Sequence, residues 1–269
     1  MRKLVLYFYF VTFYSVASAQ QDDGQWDVYM AQYEKGVGST VINMDLKSNA
    51  PDKNYRFLLS TGVHFNDCTN DGFPSQAEFQ KLYVVSDSVK KLVNLNVSNI
   101  MAGTFTYQCE RKDYYYIKDT SSIRLKLLAL YKKHFPGYQP IINIREDATW
   151  EAYLTFLYPN EETREYMYNE KVLTKLNEAG DKLDKERPLD HWLYFPDAKS
   201  RDSFVVYAKA KGFKIESKEM REGAKPFQLH ISRIDKVDLP YISKLTLELR
   251  REARKYNAEY DGWETFVVR

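Results

Sequence analysis

Four histidines and two cysteines are the side chains of this sequence best suited to metal binding or nucleophilic catalysis. They are His64, His134, His191, His230, Cys68 and Cys109. The histidines show no HxH, HExxH or HxxxH spacing, and the cysteines form no CxxC pair, whereas zinc sites are built from such short spacings. No metal site is therefore predicted. His191 and His230 fall on strands expected to be neighbours, and we interpret them as a polar pair on one sheet face.

The sequence also lacks the motifs of nucleotide binding and of acyl transfer. No GxSxG, P-loop or GxGxxG sequence accompanies a strand-to-helix turn. The glycines Gly36 and Gly38 fit a hairpin turn better than a phosphate loop. The acidic pair Glu161 and Glu162 lies at a helix start, where it complements the helix dipole. The sequence thus predicts a protein with no catalytic residues and no cofactor.

Aromatic residues near the C-terminus are better candidates for a binding site. Tyr260, Asp261 and Trp263 surround a predicted Asp261-Gly262 turn before the last strand. Tyrosine and tryptophan dominate the energetics of protein interfaces. Alternatively, Trp263 closes the core beneath the last helix and Asp261 only organises the turn.

A second aromatic group alternates along a predicted strand. Trp192 and Tyr194 must face away from His191, Leu193 and Phe195, because successive side chains of a strand point to opposite faces. One set is expected in the core, and the other is expected to be exposed or covered by the first domain. The candidate partner-binding residues are therefore Tyr260, Asp261, Trp263, His191, Trp192 and Tyr194.

The remaining periodicity predicts two mixed units. In the first unit the predicted elements are strands at 27–33, 39–46 and 55–65 forming an antiparallel meander, a helix from a capping box at 75–78, a β-rich stretch at 104–116 with a hairpin or bulge at 111–113, a helix from Ser121 or Ser122 to Pro136, and strands at 141–144 and 150–158.

The second unit begins with a helix from Pro159 to about Glu178, where the domain junction is placed. The predicted elements after it are strand 191–195, helix 199–211, strands 213–220 and 227–231, helix 239–256 and strand 263–268. This βαββαβ order is ferredoxin-like. The predicted fold is α+β, with two antiparallel-sheet domains at 20–158 and 159–269 that carry helices on one face.

The N-terminus predicts export. Arg2 and Lys3 precede the apolar run 4–11 and the small-residue site Ala17-Ser18-Ala19, the three parts of a signal peptide spanning 1–19. We expect a periplasmic or secreted protein beginning at Gln20, with no membrane attachment after cleavage. In such a compartment Cys68 and Cys109 could form a disulfide or remain two buried thiols. Without Arg2 and Lys3 the 39 basic residues become 37, equal to the 37 acidic ones, which argues against nucleic-acid binding.

Two family resemblances add to this interpretation. Residues 159–269 resemble the RraB family, regulators of ribonuclease E activity, in element order and in the segment Glu259-Tyr260-Asp261-Gly262-Trp263. Residues 20–158 resemble the domain of unknown function 695 through Asp71-Gly72-Phe73-Pro74, the run 114–116 and Trp150-x-x-Tyr153. The resemblance implies a non-enzymatic, regulatory protein that binds an unidentified protein partner. No small-molecule ligand is inferred from the sequence.

An alternative from a different class is a periplasmic hydrolase. Its site would lie at the domain junction near His191, Tyr194 and the tyrosine run 114–116. This hypothesis predicts a deep cleft in which a histidine and a carboxylate come within hydrogen-bond reach.

Overall fold

The fold consists of two antiparallel β-sheets, each with α-helices packed on it, as the sequence predicts. The computed structural model describes residues 25–269, so the predicted signal peptide lies outside the described residues. Within the described part, no helix is both long enough and apolar enough to cross a bilayer.

The first sheet has six strands in the spatial order β1-β2-β4-β5-β3-β6. The strands are β1 Trp26–Tyr33, β2 Gly36–Asn43, β3 Phe57–His64, β4 Asn99–Tyr107, β5 Glu110–Ile117 and β6 Gln139–Glu146. The predicted three-strand meander is wrong, because β3 pairs with β5 and β6 rather than with β2. Six of the eight residues of β3, on both faces, are buried, so this strand requires an internal position.

Two helices, α1 Gln76–Asn96 and α2 Ile123–His134, cover one face of this sheet. The predicted cap of α1 is present, since Ser75 Oγ accepts a hydrogen bond from the Glu78 amide at 3.2 Å. The core beneath these helices includes Leu59, Leu82, Val89, Tyr115 and Leu127.

The opposite face is covered by a π-helix, Ala152–Leu157, where the sequence predicted a strand. Asp147 Oδ1 and Oδ2 accept hydrogen bonds from the backbone amides of Glu151 (2.9 Å) and Ala152 (3.0 Å), which favours a helical start. Trp150 then stacks on Tyr116, with ring centroids 4.0 Å apart. The aromatic residues that suggested a strand are therefore buried, although the backbone that carries them is helical.

The hairpin or bulge predicted at 111–113 is also wrong, since those residues lie inside β5 in unbroken register with β3 and β4. The turn between β4 and β5 is at Gln108 and Cys109, which both have positive φ values, 49° and 59°. Cys109 is disulfide-bonded to Cys68, so one of the two alternatives left open by the sequence is realised.

Helix α3, Glu161–Glu178, packs against both units. Its Met167 belongs to the core of the first sheet, whereas Leu173 and Leu176 belong to the core of the second. Lys171 forms an ion pair with Asp27 of β1. Helix α3 therefore contributes residues to both cores.

The second sheet has the order β10-β7-β9-β8 and is ferredoxin-like, as predicted. Its elements are β7 Arg187–Phe195, α4 Ala198–Ala210, β8 Lys214–Met220, β9 Phe227–Asp235, α5 Leu239–Arg254 and β10 Glu259–Glu264. Strand β10 begins earlier than predicted, and the Asp261-Gly262 pair forms a bulge within it instead of a turn before it. Gly262 has a φ of 140°, which explains glycine at this position.

Candidate functional site

The candidate site is the face of the second sheet that points away from α4 and α5, called here the open face. Alternation along β7 buries Leu189, His191, Leu193 and Phe195 in the core and turns the residues between them outward. Strand register and bulges place these residues on the open face: Asp190, Trp192, Tyr194, Lys214, Glu216, Ser217, Glu219, Gln228, His230, Ser232, Glu259, Asp261, Gly262 and Glu264.

A stacked pair lies at the centre of the open face. The rings of Trp192 and His230 have centroids 4.6 Å apart and planes inclined by 10°. His230 Nε2 donates to Asp190 Oδ1 at 2.6 Å. The side chains of Asp190 and His230 are only 30% and 23% exposed, so this hydrogen-bonded pair is partly buried.

A second polar pair lies next to this cluster on β8 and β9. Ser232 Oγ donates to Glu216 Oε1 at 2.5 Å, and Lys214 Nζ donates to the other carboxylate oxygen at 2.9 Å. The Ser232 hydroxyl and then Lys214 hold the pKa of the Glu216 carboxyl below its usual range. Glu216 is thus held as an anion.

A shallow cleft of about 320 Å³ lies beside these groups. Its walls are formed by Trp192, Tyr194, Arg221, Asp261, Gly262, Trp263 and Glu264. On the floor of the open face Gln228 is 1% exposed, and its side-chain oxygen has no hydrogen-bond partner among residues 25–269.

Negative charge is concentrated on the open face. It carries six carboxylates against Lys214 and the neighbouring Arg221; they belong to Asp190, Glu216, Glu219, Glu259, Asp261 and Glu264. From Lys185 onward, however, the sequence has 18 basic and 14 acidic residues. The excess positive charge therefore lies elsewhere, for example at the end of α5, where Arg250 pairs with Glu165 and Arg254 with Glu161.

Two of the predicted binding residues are not available to a partner. His191 is 0% and Tyr260 is 2% exposed, and the Tyr260 hydroxyl lies 2.8 Å from His191 Nδ1. Burial, with smaller contributions from the positive charges of Arg233 and His230, lowers the pKa of His191 to about 3. The prediction that these two residues contact a partner directly is therefore wrong. They support the site from within the core.

The interpretation of His191 and His230 as a pair on one face is also wrong. His191 is in register with Ile231 on the helix-covered side, whereas His230 is in register with Trp192 on the open face. The two histidines are on adjacent strands but on opposite faces because their positions differ by one residue in the register.

Trp263 lies on the helix-covered side, in register with His191. It is partly buried against the core, and its Nε1 donates to Asn169 Oδ1 of α3 at 2.7 Å. Asn169 in turn donates to Thr246 Oγ1 of α5 at 2.9 Å. Of the six predicted residues, Trp192, Tyr194 and Asp261 are therefore together on the open face.

The residues of the predicted hydrolase site are not brought together. The tyrosine run 114–116 lies in the first sheet, His191 is buried under the helices of the second, and Tyr194 is on the opposite face. Histidine meets carboxylate at His230–Asp190 and at His64–Glu110 (3.2 Å). Among residues 25–269, neither histidine is hydrogen-bonded to a hydroxyl or a thiol, and no three potential ligands cluster to hold a metal.

Sequence reasoning did not identify Gln228, Ser232, Glu216 or Arg221 as part of the site. Gln228 and Ser232 are each two residues from His230 on β9. The alternation of side chains along a strand could therefore have placed them on the same face as His230. Glu216 could not be assigned to a face from the sequence, because a bulge after Ile215 shifts the register.

These features define a two-domain α+β protein whose ferredoxin-like C-terminal domain presents an acidic, aromatic sheet face. Residues 24–158 match the profile described as Family of unknown function (DUF695), and the chain belongs to this family. Residues 167–265 match the profile of Regulator of ribonuclease activity B. Both predicted resemblances, in this order along the chain, are confirmed.

Other comparisons contribute little. No curated protein matches the sequence. Among solved structures, a crystal structure of an unknown protein from Galdieria sulphuraria is similar over 79% of this chain and 99% of its own, with 11% identity and a TM-score of 0.22.

Proposed function

We propose that this regulator-like chain is an exported, non-catalytic protein that binds a basic segment of another protein through the open face. The profile name of the C-terminal domain describes proteins that regulate another protein's activity, which supports a binding role. An exported chain does not meet a cytoplasmic ribonuclease, so a different partner is proposed.

The concentration of carboxylates around two partly buried aromatic residues is the observation that carries this proposal. Six carboxylates surround Trp192 and Tyr194, although the part of the chain from Lys185 onward has an excess of basic residues. The concentration of carboxylates on one face has no role in folding the core, because the open face lies outside the core. It is the pattern that electrostatic complementarity to a positive partner requires.

Arginine is the partner residue that fits this surface best. Its guanidinium can stack on an indole and pair with a carboxylate at the same time. Trp192 offers the ring, and Asp261 and Glu264 line the same cleft. We therefore expect affinity to fall as the salt concentration rises.

Two observations support export. The first is the three-part N-terminal sequence pattern at 1–19. The second is the Cys68–Cys109 disulfide, a bond typical of oxidising compartments. Cell fractionation followed by N-terminal sequencing of the recovered chain tests this part of the proposal. We expect an extracytoplasmic protein that begins at Gln20, and an uncleaved chain in the cytoplasm would contradict it.

The binding face can be tested by site-specific photo-crosslinking in living cells. A photoreactive phenylalanine analogue replaces Tyr194 on the open face or, as a control, Val206, which is 70% exposed on α4. We expect a cross-linked protein from position 194 that is absent at position 206.

The recovered partner is then purified, and its affinity is measured for the wild type and for Trp192→Ala. We expect at least a roughly 30-fold loss, the effect of an interface hot spot of about 2 kcal/mol. Equal affinity for both chains, or cross-links of the same protein from both positions, would contradict the proposal.

A further inference from the structure

A cleft of about 630 Å³ in the N-terminal domain is separate from the open face. It lies on the π-helix side of the six-stranded sheet, and its walls are formed by Leu58, Ser60, Tyr114, Arg124, Asn143, Ile144, Arg145, Glu151, Ala152, Thr155 and Phe156. Its volume lies in the range of small-molecule sites, which is about 300–1,000 Å³.

Several polar side chains in this cleft have no partner. Ser60 is in register with Tyr114 on one side and with Asn143 on the other, so these three residues form a row across β5, β3 and β6. Ser60 and Tyr114 are only 8% and 7% exposed. No side chain of the row, nor that of Thr155, makes a hydrogen bond to another residue in 25–269. Asn143 and Thr155 are exposed, and Ser60 and Tyr114 also line the cleft, so the polar groups of all four residues are free to bind a ligand.

The row is rich in donors. Burial, and then the negative charge of Glu110, raises the pKa of Tyr114 far above its usual value, so its hydroxyl stays protonated. Ser60 and Thr155 contribute hydroxyls and Asn143 contributes an amide N–H₂. A ligand with several acceptor oxygens would match this set.

The charged groups of the cleft also favour an anion. Arg124 and Arg145 line it together with a single acid, Glu151. Arg145 is 3.8 Å from Asp147, but the oxygens of Asp147 already accept hydrogen bonds from the Tyr116 hydroxyl and two backbone amides. Arg124 has no carboxylate partner among the described residues. Two guanidinium groups are thus available to pair with carboxylate or phosphate oxygens.

The rest of the cleft is apolar. Leu58, Ala152 and Phe156 line it, and Phe156 is 39% exposed although its ring packs edge-on against Phe105 at 5.0 Å. Phe156, Ala152 and Thr155 all come from the π-helix, a rare backbone form that is frequently found at functional sites.

We propose that this cleft binds a small amphipathic anion, a molecule in which a carboxylate or phosphate group is attached to an apolar or aromatic body. The oxygens would meet Arg124, Arg145 and the Ser60–Tyr114–Asn143 row. The body would pack against Phe156 and Leu58. This proposal stands apart from the one made for the open face, because it concerns another sheet and another class of ligand.

Four probes test the chemistry, with binding to the purified chain measured by calorimetry. Phenyl phosphate and benzoate carry both parts of the proposed ligand, inorganic phosphate carries only the anion, and benzyl alcohol carries only the body. We expect one or both of the first two to bind at least tenfold more tightly than either of the last two. Comparison of phenyl phosphate with benzoate identifies the acidic group. Absence of binding by both, or equal binding of inorganic phosphate, would overturn the proposal.

Three variants locate the bound probe. Arg145→Gln should weaken the better probe at least tenfold, and Tyr114→Phe should weaken it several-fold. Arg251→Gln, an exposed arginine of the other domain that lies outside both clefts, should leave it unchanged. Tyr114→Phe should keep the wild-type free energy of unfolding, because its hydroxyl has no partner to lose. Equal affinities for Arg145→Gln and Arg251→Gln would show that the probe binds elsewhere and would refute this site.

Discussion

Trp192 lies flat on His230, with 4.6 Å between the ring centroids, and the same histidine donates to Asp190 at 2.6 Å. The stacking and the hydrogen bond together fix the indole orientation. A binding surface that is already ordered loses less side-chain entropy when a partner arrives. The arrangement therefore makes Trp192 a suitable anchor for a partner side chain.

The buried pair beneath this surface should matter for stability. Tyr260→Phe removes the hydroxyl that hydrogen-bonds His191 Nδ1, and His191 Nε2 already has no partner among the described residues. We expect a loss of about 1–3 kcal/mol in the free energy of unfolding, measured by urea denaturation. Tyr194→Phe is the matched control on the open face and should change it by less than about 0.5 kcal/mol. Equal effects of the two changes would contradict the burial of Tyr260.

The pH dependence of unfolding should reveal His191. Its folded-state pKa is about 3, below the ordinary value of 6.5, because burial disfavours the charged ring. Above pH 6.5 its contribution to stability is complete. As the pH falls, only the unfolded state binds the proton, so stability is progressively lost, by up to roughly 4–5 kcal/mol near pH 3.

The variant His191→Phe provides the control for this titration. Between pH 6.5 and 4.5 its free energy of unfolding should vary less with pH than that of the wild type. Asp181, whose pKa is lowered mainly by its hydrogen bond from Arg187, loses its contribution only at more acidic pH. Parallel pH profiles for the wild type and the variant would show that His191 is not the titrating group.

Reduction should weaken the N-terminal domain. The disulfide joins Cys109, in the β4–β5 turn, to Cys68, and the two positions are 41 residues apart. Adding a thiol reductant should lower the free energy of unfolding by about 2–4 kcal/mol. The double variant Cys68→Ala/Cys109→Ala should be weakened to a similar extent and should not respond to the reductant. A wild-type chain insensitive to reductant would contradict a stabilising disulfide.

The bulge in β10 depends on Gly262. Its φ of 140° is strained for any residue with a Cβ, although no atom would clash with one. We expect Gly262→Ala to cost about 1–3 kcal/mol of stability in thermal or urea unfolding. Gly137→Ala is the matched control, because Gly137 has no positive φ and no atom lies within 4 Å of the position that its Cβ would take. If both variants unfold alike, the backbone strain at the bulge is absent.

The order of elements in the second unit was predictable because each element has a clear local signal. The stripe of Ile242, Leu245 and Leu249 and the Asp238 cap define α5, and βαββαβ order then determines the sheet order. In the first unit, the position of β3 between β5 and β6 depends on contacts distant in sequence, which local periodicity does not encode.

The site was only partly predictable for a related reason. Alternation along β7 separated Trp192 and Tyr194 from His191 correctly. The bulges after Ile215 and Tyr260 each reverse the facing of later residues, so Glu216 and Trp263 could not be assigned from a period of two. The π-helix was missed because its aromatic sequence has strand propensity, while the hydrogen bonds to Asp147 that favour it are tertiary.

The most direct test of the central claim uses the four tryptophans as reporters. Trp26 and Trp150 belong to the first unit, Trp263 lies on the helix side of the second sheet, and Trp192 lies on the open face. With ¹⁵N-labelled tryptophan, each indole N–H gives its own signal as the partner recovered through position 194 is added.

We predict that the Trp192 signal shifts most and that the affinity falls as NaCl is raised from about 50 to about 500 mM. A largest shift at Trp26 or Trp150, or an affinity independent of salt, would contradict binding of a basic partner at the open face.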